Sequence, residues 1–154
     1  MDSCELLSNS EDETRAAAAR LAAVLEPDMR IGLSGELGAG KTCFVRGLAE
    51  GLGIPESRVH SPSFTLVLPY DGGRLPLYHI DLYRMHPGEL DRMALREYLY
   101  GDGVAAVEWF EHLGEPLQDW LEVRLTFVGP DSRRLVAVAH GVRYRNALQA
   151  LCAA

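Results

Sequence analysis

Eight residues, Gly35-Glu36-Leu37-Gly38-Ala39-Gly40-Lys41-Thr42, constrain this chain more than any others. They read G-x-x-x-x-G-K-[ST], a pattern that cradles phosphate groups and needs a strand ahead of it and a helix behind it. Glycines let the backbone reach dihedrals closed to residues with a Cβ, so successive N–H groups can turn inward as a nest for an anion. The helix expected from Lys41 onward points its positive end at the same spot. Lys41 is expected to reach the β- and γ-phosphates, and the Thr42 hydroxyl to take one Mg²⁺ position.

The surroundings agree. Met29 to Leu33 is a short, mostly apolar run suited to a strand, and Cys43 to Leu52 carries apolar residues at helical spacing and ends near a glycine. Lys41 is the sole lysine among 15 basic residues. Arginine serves everywhere else, while the compact ammonium stands where a phosphate is expected.

Composition sets limits on the rest. At 154 residues the chain is expected to form a single domain with a proper core. A net charge of −7 argues against non-specific nucleic-acid binding as the main activity. Cys4, Cys43 and Cys152 are scattered and odd in number, which indicates neither a disulfide framework nor a zinc site. The sequence shows no signal segment and no apolar run of membrane length, so no membrane association and a cytoplasmic location are expected.

Residues 1–9 read as a lead-in. Ser10-Glu11-Asp12-Glu13 fits a capping box ahead of a helix that would bury Leu21, Val24 and Leu25 and end by Pro27. Phe64 to Tyr70 and Arg74 to Asp81 read as a hairpin, placed at a sheet edge by Pro69 and Pro76. Pro87 to Tyr100 is expected to be helical, with Leu90, Met93, Ala94 and Leu99 inward. Val104 to Val107 is an unbroken apolar run closed by Glu108, as in buried parallel strands. Leu121 to Val128 and Leu135 to His140 alternate as a second antiparallel hairpin, and residues 142–154 close the chain as a helix. The predicted class is α/β: a three-layer sandwich of the P-loop NTPase kind, with parallel central strands and antiparallel hairpin additions.

Two strands end in an acid, Asp81 and Glu108. Ligands in such sheets sit at the carboxyl ends of strands. Glu108 follows the more apolar strand, expected beside the loop strand, and is favoured for the metal. Asp81 then orients the attacking water or holds a metal-bound water. Ser61, Ser63 and Thr65 offer hydroxyls where switch segments lie in this kind of fold. Cys43, at a helix start, reads as a packed small residue. The five histidines show no ligand spacing and read as structural or surface groups. Trp109, immediately after Glu108, would belong to the core, cover the site or meet a partner.

Taken together, the loop at 35–42, Ser61-Pro62-Ser63-Phe64-Thr65-Leu66-Val67, His79-Ile80-Asp81-Leu82-Tyr83-Arg84 and Glu108-Trp109 closely resemble the TsaE (YjeE) family of small bacterial ATPases. The resemblance spans about residues 10–140. It implies an ATPase, with ATP and Mg²⁺ as cofactors, that serves threonylcarbamoyladenosine synthesis on tRNA. Its partners would be TsaB and TsaD, which transfer the threonylcarbamoyl group to adenosine 37 of tRNAs reading codons that begin with A. The nucleotide cycle would reset that complex, and tRNA would be met only indirectly. By the same resemblance Thr42 and Glu108 hold Mg²⁺, Asp81 is needed for hydrolysis, and Glu11, the loop with Cys43, and Arg133 touch the nucleotide. Ser63 stands where the family usually has threonine and keeps the hydroxyl.

Other readings share the loop. A guanine-nucleotide switch needs a lysine after an asparagine in its base-reading motif, and the only lysine is already on the phosphates. A small-molecule or nucleotide kinase would bring an arginine-bearing lid, for which the region from Arg84 to Arg96 could serve. A nucleotide-sensing binding module would tolerate loss of Asp81. For an ATPase, hydrolysis by the chain alone is expected to be weak, with Arg84 the one candidate for an arginine finger in cis.

Overall fold

Strand pairing in the computed structural model follows the apolar runs. It describes residues 2–36, 38–60, 66–84, 92–114 and 116–153, with the side chain of Arg92 outside the description. The strands are β1 (Ser3–Ser8), β2 (Met29–Ser34), β3 (Val67–Tyr70), β4 (Leu77–Asp81), β5 (Val104–Glu108), β6 (Trp120–Phe127) and β7 (Arg133–His140). They form one sheet in the order β1-β7-β6-β2-β5-β4-β3. β2 pairs in parallel with β5 on one side and β6 on the other, and β4 runs parallel to β5. The β3–β4 and β6–β7 pairs are antiparallel, as expected of the two hairpins.

Among the described residues four helices, α1 (Glu11–Ala22), α2 (Lys41–Gly51), α3 (Arg92–Leu99) and α4 (Arg145–Leu151), cover the two faces. One face packs under α1, α2 and α4, and the other under α3 and the turn Phe110–Leu113. β2 and β5 are buried throughout, as centre strands covered on both sides must be. Pro69 sits in the edge strand β3 opposite Tyr78, where a missing N–H leaves the ladder intact.

Ser10 caps α1 in extended geometry, its hydroxyl accepting from the Glu13 N–H at 3.1 Å, while the Glu13 carboxylate reaches back to the Asn9 N–H. The helix buries Ala17, Ala18, Leu21 and Ala22. It stops at Ala22, so Val24 falls beyond it and is 41% exposed, a correction to the expected burial; Leu25 is buried as expected.

Three further expectations are corrected. Residues 3–8 are not a lead-in but an edge strand, paired antiparallel with β7. Cys4 on β1 and Cys152 after α4 are joined by a disulfide, with 6.4 Å between their Cα atoms, because β1 and α4 meet at one side of the sheet. On α3 the inward residues are Leu95 and Leu99, while Met93 and Ala94 face out; the helix is rotated relative to the sequence reading. Residues 85–91, with Leu90 and the expected helix start, lie outside the described residues. The closing helix arrives as a 3-10 turn, Val142–Tyr144, followed by α4. Among the described residues, no helix is long and apolar enough to cross a membrane.

Candidate functional site

β2 delivers the chain to the loop, and α2 begins at Lys41 directly after it. Gly35 turns out of the strand at φ +145° and Gly40 enters the helix at φ +103°, both in the region that favours glycine. The Gly40 carbonyl already accepts the helical bond from the Phe44 N–H at 2.9 Å, so the loop and the first turn of α2 form one unit. Leu37 lies outside the described residues, as do Ser61, Ser63 and Thr65.

Lys41 is buried and inward. Its ammonium donates to the carbonyls of Gly35 at 2.6 Å and Glu36 at 3.0 Å, and lies 4.3 Å from the centre of the Trp109 ring. Burial pulls its pKa below the ordinary lysine value, opposed by the charges of Glu108, Glu111 and Asp81. A charge so placed, desolvated and lightly held by carbonyl dipoles, is available to an anion that enters the loop.

The two strand-end acids stand together. Asp81 and Glu108 are opposite residues in the parallel β4–β5 register. Val104 and Ala106 belong to the core under α1 and α2, so strand alternation places Glu108 on that same face, towards Thr42. The Thr42 hydroxyl donates to Glu108 Oε2 at 3.3 Å. Asp81 Oδ1 accepts from the Tyr83 N–H at 2.9 Å, a bond that favours its charged form. Burial outweighs that bond and raises the Asp81 pKa; Glu108 raises it too, while His79 and Lys41 lower it.

Trp109 is neither simple core nor free surface. Its backbone takes a left-handed conformation, φ 58°, while its N–H donates to Leu33 O at 3.1 Å and continues the β2–β5 ladder. That turn lays the indole over Lys41, between the rings of Tyr83 at 5.0 Å and His112 at 5.6 Å. Arg84 follows in an exposed turn.

On the other side of the loop lies a cleft of about 360 Å³ lined by Asn9, Ser10, Glu11, Thr14, Gly38, Gly40, Cys43, Asp131 and Arg133. Glu11, Cys43 and Arg133, distant in sequence, thus share one wall system with the loop. Arg133 stacks on Phe127 at 4.1 Å and donates to Ala39 O at 3.2 Å, tying the β6–β7 hairpin to the loop crest. The Cys43 thiol is pushed up by burial and by Glu11, in keeping with a packed residue rather than a reactive one.

Hard oxygen ligands suit Mg²⁺, which keeps several waters and takes the remainder from carboxylates and phosphate oxygens. The Thr42 hydroxyl and the buried Glu108 carboxylate supply such donors side by side. Among the described residues no group of three His, Cys, Asp or Glu side chains forms a cage that could hold a metal on its own.

Sequence reasoning missed His79. It is completely buried, and its Nε2 meets Glu108 Oε2 in a short contact. The available signal was strand alternation: His79 is two residues before Asp81 and so shares its face.

Known proteins resemble this chain over most of its length. The family model described as Threonylcarbamoyl adenosine biosynthesis protein TsaE matches residues 8–135. The tRNA threonylcarbamoyladenosine biosynthesis protein TsaE of Bacillus subtilis is 45% identical over 134 residues, covering 86% of this chain and 84% of that protein. The protein of the same name from Treponema pallidum is 40% identical over 134 residues, covering 86% and 98%. The crystal structure of Bacillus subtilis YdiB superposes with a TM-score of 0.81 at 38% identity, covering 97% of this chain and 93% of that one.

Proposed function

The chain belongs to the TsaE family, whose members are named for tRNA threonylcarbamoyladenosine biosynthesis, and from that premise we propose that it binds and hydrolyses Mg·ATP to support the partner complex of that pathway. The observation that carries the reading is the convergence of Lys41, Thr42, Asp81 and Glu108 at the carboxyl ends of β2, β4 and β5. That is where a triphosphate and its cation bind in this architecture.

Each residue has a part. Lys41 exchanges the Gly35 and Glu36 carbonyls for the β- and γ-phosphates, and the loop N–H groups hold the rest of the tail. Thr42 and Glu108 hold Mg²⁺, whose charge offsets that of the phosphates. Asp81, held in place by the Tyr83 N–H, orients the attacking water. The cleft between α1 and the β6–β7 hairpin takes the nucleoside, with Glu11 and Arg133 at its walls. Proteins of the TsaB and TsaD type are the partners. They form the modified adenosine at position 37 of tRNAs reading ANN codons, and this chain, acting in the cytoplasm, meets tRNA only through them.

The test is phosphate release together with nucleotide binding in two variants. Lys41→Ala is expected to weaken ATP binding at least about tenfold, the cost of a lost charge-assisted hydrogen bond. Asp81→Ala is expected to keep binding and lose turnover by about 100-fold or more, as for a lost general base or water-orienting group. Undiminished turnover in Asp81→Ala would remove that residue from the chemistry. Labelled γ-phosphate on an acceptor, rather than free in solution, would make the protein a kinase.

A further inference from the structure

His79 is completely buried in the middle of β4, and nothing in the proposed cycle uses it. Its Nε2 meets Glu108 Oε2, while its Nδ1 has no hydrogen-bond partner among the described residues. A nitrogen with no acceptor nearby has nothing to donate to, so the tautomer that fits carries its proton on Nε2 and donates it to the carboxylate. A buried ring nitrogen left unpaired costs stability, and a leucine in the same space would avoid that cost. The imidazole therefore has the arrangement of a group kept for its one hydrogen bond.

We propose that His79 is a positioning residue for the metal-holding carboxylate: its Nε2–H holds Glu108 beside the Thr42 hydroxyl, so that the cation meets a ligand already set. Two opposite pulls make this necessary. Glu108 is close enough to Lys41 for its charge to act on the ammonium, and direct pairing of the two would engage the metal ligand and the phosphate ligand with each other. The bond to His79 comes from β4, which runs beside β5, and keeps Oε2 on the Thr42 side. Partners of this second layer around a metal commonly set its affinity.

The inference rests on the Mg·ATP reading, and one experiment separates the two. ATP is titrated calorimetrically into wild type, His79→Leu and His79→Gln at a series of Mg²⁺ concentrations and in excess chelator, with thermal denaturation of each variant alongside. Glutamine places an N–H near the position of Nε2; leucine places none. His79→Leu is expected to raise the half-saturating Mg²⁺ about tenfold or more, to leave metal-free ATP affinity within about twofold, and to be rescued to within about threefold by glutamine. If His79→Leu does not fold, His79→Asn, whose amide is too short to reach Glu108, carries the same expectation. An unchanged Mg²⁺ requirement, equal losses with and without metal, or a folded glutamine variant as impaired as leucine would each overturn the role. Absence of Mg·ATP uptake by wild type would instead fell the functional reading, and this inference with it.

Discussion

Gly35 shows how closely the loop is fixed at the scale of a single residue. A Cβ built there would stand 2.4 Å from the Leu125 carbonyl oxygen, at a φ of +145° that L side chains rarely adopt. Backbone strain and a clash with β6 then act together, and neither can be relieved by turning a side chain. Gly35→Ala is expected to destabilise the fold by about 2 kcal/mol or more. Urea denaturation measures this; a change below about 0.5 kcal/mol, within the range of an ordinary surface substitution, would show a pliable loop rather than a preformed one. The meeting of Lys41, Thr42, Asp81 and Glu108 was legible in sequence, the first two from the spacing of the phosphate loop and the acids because each closes a strand. His79 was not. A lone histidine in an apolar strand reads as core until the folded side chains bring the Glu108 carboxylate against its ring. Nor did the sequence tell whether Trp109 packs or covers; its left-handed backbone decides that it covers Lys41.

At the scale of elements, the position of α2 is set by its seam with α1. A Cβ on Gly47 would meet the Arg15 carbonyl oxygen at 2.4 Å and Ala18 Cβ at 2.7 Å. In an isolated helix, Gly→Ala gains about 1 kcal/mol. Here overpacking against a backbone atom costs about 1–3 kcal/mol, and the clash is severe enough to place this site at the upper end. Gly47→Ala is therefore expected to lower stability by about 1–2 kcal/mol net. Because α2 starts at Lys41, ATP affinity is expected to fall with it. A stabilised Gly47→Ala protein in thermal denaturation would mean that the seam is loose. The apolar runs of β2 and β5 and the alternation of β6 and β7 could be read directly, since burial on two faces or one leaves its own pattern. β1 left too faint a trace: its inner face carries only Cys4 and Leu6, half-buried, and the buried but polar Ser8, and its strand conformation comes from the β7 edge. The facing of α3 was misread for a related reason. Leu90, Met93 and Ala94 satisfy a helical spacing as well as Leu95 and Leu99 do, and only packing against the sheet selects the latter pair.

For the whole molecule, the disulfide closes nearly the entire chain, linking residues 148 apart in sequence. No spacing rule pairs cysteines at such a distance; they meet because β1 joins the sheet beside the strand that leads into α4. By loop-closure entropy a bond spanning so long a loop stabilises by up to about 5 kcal/mol. Dithiothreitol, or Cys4→Ser with Cys152→Ser, is expected to lower the thermal midpoint by several degrees while leaving ATP affinity unchanged, since both cysteines lie outside the loop and its cleft. Identical scanning calorimetry traces with and without reductant would show that the bond contributes nothing.

Of the four strands that run parallel, β6, β2, β5 and β4, the last three bring an ammonium, a hydroxyl and two carboxylates from separate parts of the sequence to one end of the sheet. Isothermal titration of the folded chain with Mg·ATP tests that convergence most directly. Saturable uptake of one nucleotide per chain is expected, weakened when Mg²⁺ is chelated and largely lost in Lys41→Ala. No heat of binding from a wild-type protein shown to be folded, alone or with TsaB- and TsaD-type partners, would contradict it.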